Sequence, residues 1–170
     1  MTYPDVIVQS GLRPFLIGTF QQGVEPELHL SPHKVGDQVV VSGTVVRVVG
    51  PNMEQALKEG VAMTLTLRVR LNEGPAATSA RTLVYQPLSR EWQVIRSDSP
   101  RTFPTLSTAE KAWAAWDDFG VGVPGPGPFT VNAEVTLSFP GRPDWKADMV
   151  WKTPQVRWRK SFTQMSEIPY

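Results

Sequence analysis

The stretch GPNMEQALKEGVAMTLTLRVRL, residues 50–71, carries two periods and the break between them. Pro51 suits the first helical turn, where its missing N–H would have no partner in any case. Glu54 lies where the helix dipole favours a negative charge. Met53, Ala56 and Leu57 share one helical face, and Lys58 and Glu59 face solvent. Gly60 is the expected left-handed stop. The period then falls to two. Val61, Met63, Leu65, Leu67, Val69 and Leu71 point one way; Ala62, Thr64, Thr66, Arg68 and Arg70 point the other. This is a core-lining strand with a wet outer face, and that face is a candidate partner surface.

The rest of the chain is predicted to be mostly strand. VVVSGTVVRVV, residues 39–49, is a β-branched run that reads as a strand buried on much of both faces. Gly43 inside it marks a bulge or a close backbone approach. Residues 72–79, NEGPAATS, read as a turn-rich connection. Residues 81–86 and 91–96 form a hairpin, with Tyr85 and Trp92 in cross-strand contact; SDSP, residues 97–100, reads as a turn. Residues 129–139 alternate cleanly, with Phe129, Val131, Ala133, Val135, Leu137 and Phe139 inward. A return strand is predicted from Lys146, interrupted at Pro154.

Ser107 and Glu110 make a capping-box pair, which predicts a second helix over 107–118. Trp113, Trp116 and Phe119 continue it as an aromatic stripe. Its default role is core, and the alternative is a groove for an apolar ligand or a partner helix. Asp117 and Asp118 sit poorly at a helix C-terminus.

The expected fold is therefore α+β and β-dominated, an antiparallel sheet or curled sandwich packed by two short helices at about 51–59 and 107–118. The 170 residues fit one domain. Residues 1–37 form a less regular N-terminal segment with short strands at 6–8 and 15–20, and 121–128 is a Pro/Gly loop inside the domain.

The 17 basic and 16 acidic residues nearly cancel, which argues against bulk electrostatic binding of nucleic acid. There are no cysteines, so thiolate metal sites and thiol catalysis are excluded. No apolar run reaches the roughly 18–20 residues of a transmembrane helix. The first residues lack a basic start, an apolar core and a cleavage site. The expected place is the periplasm or envelope if a signal was removed, and otherwise the cytoplasm or an assembly.

No catalytic motif is present: no nucleophile elbow, no zinc-protease helix, no phosphate loop. His29 and His33 flank Pro32, which argues for loop histidines over a helical ligand pair. No catalytic, cofactor-binding or metal-binding residue is assigned, and no cofactor is expected. WKTPQVRWRKSF, residues 151–162, interleaves aromatics with Lys152, Arg157, Arg159 and Lys160. Together with Trp158 this is a second candidate partner surface. Strand alternation favours a charge-protected edge over a stacking platform for bases.

Three segments carry a resemblance. Glu54 to Val61, Leu83 to Val94 and Phe103 to Leu106 resemble the motifs of the bacterial domain-of-unknown-function family numbered 4390, over roughly residues 38–160. The resemblance implies an exported protein with no established activity and carries over no functional residues. The reading is a non-enzymatic binding or assembly module with a protein partner or a second copy of itself. The alternatives are a carrier with an apolar pocket beside Trp113 and Trp116, and a structural subunit of a virion or secretion assembly.

Overall fold

A computed structural model describes residues 24–97 and 99–162. The short strands expected at residues 6–8 and 15–20 lie outside the described residues. In chain order the elements are β1 (Glu27–Val35), β2 (Gln38–Val46), α1 (Pro51–Lys58), β3 (Met63–Leu71), β4 (Ala76–Gln86), β5 (Glu91–Arg96), β6 (Ser99–Phe103), α2 (Leu106–Trp113), β7 (Ala115–Gly122), β8 (Phe129–Ser138), a 3-10 turn (Ala147–Met149) and β9 (Gln155–Phe162). The strands form two antiparallel sheets. One runs β1-β2-β7 and the other β6-β5-β4-β3-β8-β9. The fold is β-dominated α+β, with two α-helices among the described residues.

The opening stretch folds as its periods dictate. Pro51 starts α1, and Met53, Ala56 and Leu57 are its buried face. The helix ends in a Schellman motif: Val61 N–H donates to Ala56 O and Gly60 N–H to Leu57 O, each at 3.1 Å. Gly60 has φ +101°, the left-handed conformation this cap requires. In β3 each inward residue from Met63 to Val69 is fully buried. β8 alternates in the same way. The inner faces of both sheets and the apolar faces of both helices form one core.

Gly43 serves both expected purposes. A Cβ there would lie 2.6 Å from Leu30 Cδ1 and 2.8 Å from the His29 carbonyl oxygen. The β2–β7 register also slips between Val41 and Gly43. At that slip Asp117 and Asp118 face the single residue Ser42, and Asp118 takes φ 47°.

Several expectations are corrected. The second helix stops at Trp113, not at 118, and Trp116 and Phe119 belong to β7. The chain leaves the helix because Ala115–Gly122 pairs with β2, while two aspartates at a helix C-terminus would oppose the dipole. The N-cap is Thr105, whose hydroxyl accepts from Thr108 N–H at 3.2 Å. Glu110 is not in a capping box with Ser107; it accepts from Val49 N–H at 3.2 Å. His29 and His33 lie on β1, not in a loop. Pro32 is tolerated between them because β1 is an edge strand. The connection expected at 72–79 shortens, because β4 already starts at Ala76. Ser99 and Pro100 belong to β6. The return strand begins only after Pro154, with a 3-10 turn at Ala147–Met149 before it. Val121 and Gly122 end β7, so the Pro/Gly loop is shorter than expected.

Candidate functional site

Two candidate surfaces distant in the sequence meet on one sheet face. β8 lies between β3 and β9. Its register places Arg68, Glu134 and Arg157 in one cross-strand row, and Arg70, Asn132 and Arg159 in the next. Same-face residues along a strand are about 7 Å apart, and strands two apart are separated by about 10 Å. Four guanidinium groups therefore rise from a small rectangle around one carboxylate. These arginines are exposed, while Asn132 and Glu134 are half-buried between them. Arg157 Nε is 3.5 Å from Glu134 Oε2. Among the described residues no salt bridge engages Arg68, Arg70 or Arg159. The rows enclose a shallow concavity of about 380 Å³.

Thr64 and Thr66 continue this face without charge. Thr66 is in register with Thr136, and Thr64 Oγ1 is 2.7 Å from Thr82 Oγ1. Lys160 does not join it, and Trp158 lines the concavity only from its place on β9 between Arg157 and Arg159. Period two turns them to the other side of β9 from Arg157 and Arg159. Trp158 stacks on Phe162 at 6.3 Å and packs on the core. Lys160 Nζ sits 5.6 Å from the Phe162 ring centroid. Lys152 precedes β9 and lies 3.8 Å from Glu25 Oε2. The mixed aromatic and basic run thus splits between two faces of β9.

The Trp113, Trp116 and Phe119 stripe also divides. Trp113 is fully buried at the end of α2, and its indole N–H donates to Arg81 O at 3.0 Å. Trp116 is buried on β7 with the Arg81 guanidinium 5.0 Å above its ring. Phe119 is half-buried and helps to line a polar groove of about 460 Å³ beside Arg81 and Arg96. Neither tryptophan lines that groove.

Arg81 was not singled out by the motifs, although its parity on β4 with buried Leu83 marks it as inward. It is 5% exposed. Its Nη1 donates to Ala112 O at 3.0 Å, and its Nε is buried without a partner. Burial, and then the neighbouring Arg96 charge, pull its pKa down to about 10 against the opposing effect of Asp117. Glu110 is also partly withdrawn from water. Burial raises its pKa, and the Val49 N–H works against that rise.

The histidines do not meet. His29 Nε2 is 3.4 Å from Glu27, and His33 Nε2 is 3.3 Å from Asp118. Among the described residues no group of three or more His, Cys, Asp or Glu side chains is placed to hold a metal ion. No helix among them is long and apolar enough to cross a membrane. The chemistry this arrangement offers is fixed positive charge on a rigid sheet, suited to attracting and orienting an anion.

The family model described as "Domain of unknown function (DUF4390)" matches residues 28–122. The match takes in β1 through β7, including all three motif segments and Arg68 and Arg70; β8 and β9, with Arg157 and Arg159, lie beyond it. No curated protein and no solved structure matches the chain. Because the match covers more than half of the 170 residues, the chain belongs to the DUF4390 family.

Proposed function

We propose that this protein is a non-enzymatic binding and assembly module that docks an anionic partner protein on the outer face of β3, β8 and β9. The supporting observation is the convergence of Arg68, Arg70, Arg157 and Arg159 around one carboxylate. Such a field on a chain of net charge +1 is local, so it selects a patch on a partner and does not coat a polyanion. The arginines repeat along each strand at the spacing of alternate residues in an extended chain. A partner strand with carboxylates at every second position matches that spacing. The place of action we propose is a bacterial envelope complex, in keeping with the export implied by the family resemblance.

The test uses the intact chain and a synthetic peptide bearing Glu at alternate positions, with a Gln counterpart as control. The Glu peptide binds, and its affinity falls as salt rises from 50 to 300 mM. The double substitution Arg68→Glu/Arg159→Glu weakens binding at least tenfold with an unchanged circular dichroism spectrum. Equal binding of the Glu and Gln peptides, or an unaffected double variant, would refute the docking face.

A further inference from the structure

The 11-residue strand β4 is bordered by β3 along most of its length. On its other side β5 pairs only from Arg81 to Gln86. Ala76–Ala80 is thus a five-residue notch with a ladder on one side. Among the described residues, no other backbone group bonds to it from the open side. An unpaired run of N–H and C=O groups is a template for an added strand.

The outer edges of both sheets are blunted. β1 carries Pro32 and Lys34, and β6 carries Pro100 and Arg101. β9 carries Arg157, Arg159 and Lys160, and β7 carries two aspartates in a bulge. These are the usual devices against strand pairing. The notch sequence, Ala76, Ala77, Thr78, Ser79 and Ala80, has none of them. Its residues are half-buried or exposed, and their small side chains let another backbone approach.

The groove of about 460 Å³ takes in Thr78, Ser79 and Ala80 of this notch, with Phe119, Ile95, Arg96 and Ser97 also lining it. At its end Arg81 and Arg96 are direct cross-strand partners. Like charges in that relation repel. Among the described residues no carboxylate forms a salt bridge with either arginine. Arg96 is exposed and, among the described residues, unpaired by any carboxylate, while buried Arg81 acts on it only through its charge.

We propose that the β4 notch takes an extended peptide of a partner protein as an added strand, with a carboxylate of that peptide set against Arg96. The main-chain ladder supplies affinity, and the carboxylate fixes the register by relieving the Arg81–Arg96 repulsion. This site is separate from the cationic face of β3, β8 and β9.

The experiment selects binders to the intact chain from a displayed library of random heptapeptides, then resynthesises the best of them. The selected peptides contain Asp, Glu or a free C-terminal carboxylate. N-methylation at alternate residues along one peptide edge weakens binding at least tenfold, and the same change along the other edge does not. Arg96→Glu weakens binding at least tenfold, Arg68→Glu/Arg159→Glu leaves it unchanged, and the Ala76–Ala80 amides gain hydrogen-exchange protection in the complex. A library without binders overturns the proposal, as do binders indifferent to N-methylation and to Arg96→Glu. Binding lost in the Arg68→Glu/Arg159→Glu variant assigns the peptide to the other face and likewise overturns it. So does a dimer, seen by native mass spectrometry, that Arg96→Glu dissolves, because the occupant is then a second copy.

Discussion

Replacing Arg81 by Met tests what a buried cation, with no salt bridge among the described residues, contributes to this fold. Burial depresses its pKa to about 10, well below the ordinary arginine range, which corresponds to a cost of roughly 3 kcal/mol for keeping the charge in place. Against that stand the Nη1 bond to Ala112 O and the stacking over Trp116. The bond contributes about 1–2 kcal/mol and the stacking about 1–2 kcal/mol. The two sides nearly cancel. Met keeps the apolar stem and removes the charge, so Arg81→Met changes stability by no more than about 1 kcal/mol in either direction. Arg81→Ala also removes the buried apolar stem, and it costs about 2–4 kcal/mol. Urea unfolding at pH 7, followed by tryptophan fluorescence, measures both variants. The pH dependence carries a sign. With the folded pKa below the unfolded one, the unfolded chain binds more protons from about pH 10 up to the ordinary arginine range. The wild type therefore gains stability relative to Arg81→Met as pH climbs through that window. A loss above about 2 kcal/mol in Arg81→Met at pH 7 would refute the reasoning, because it would mean that the guanidinium is strongly compensated where it sits.

Three further outcomes follow from single contacts. Gly43→Ala costs about 1–3 kcal/mol in urea unfolding, since its Cβ would meet the His29 carbonyl oxygen at 2.8 Å; Gly125→Ala, with nothing within 4 Å of the new Cβ, stays within about 0.5 kcal/mol. Thr105→Ala costs about 1 kcal/mol through the lost cap, whereas Ser107→Ala stays within about 0.5 kcal/mol, and the reverse order would return the helix start to Ser107. Glu110 has a folded pKa raised above 4.5 by burial, so the folded chain holds its proton longer than the unfolded one. Stability from this group falls as pH rises from about 4.5 through the folded value. Melting curves across that range show Glu110→Gln gaining on the wild type as pH rises, and a constant difference would refute the assignment.

Where local chemistry and tertiary packing agree, the fold is legible in the residues. β3 and β8 alternate without exception, and the Gly60 cap needs only the residues around it. The α2–β7 junction is different. Trp113 and Trp116 are three apart, which fits a helical face, yet both are also buried once the chain turns to strand after Ala114. Helical spacing and a helix-to-strand switch give the same apolar marks there. The choice is made by pairing with β2, which no local window contains. The N-cap follows the same logic. Ser107 offered a capping box only if Glu110 stayed local, and Glu110 instead reaches Val49.

The candidate site shows which part of such a surface a sequence can carry. Parity alone puts Arg68 and Arg70 on one face of β3, and Arg157 and Arg159 on one face of β9. It also separates Trp158 from those two arginines. Parity does not say that β8 runs between the two strands, nor that Glu134 and Asn132 fall between the four cations. Two ordinary charge-protected strands become a patch only through that order. Glu134 is then the residue that makes the arrangement affordable, because it sits at the centre of the mutual repulsion and holds Arg157 directly. Glu134→Gln keeps the size and polarity of the side chain and leaves four cations facing one another. It therefore tightens binding of the alternating Glu peptide while lowering stability, by about 0.5–1 kcal/mol at low salt, with the loss shrinking at high salt. Opposite changes in affinity and stability from one substitution are the signature of a surface that keeps uncompensated charge for a partner. If both fall together, Glu134 is a contact for the partner and the face is not read by charge alone.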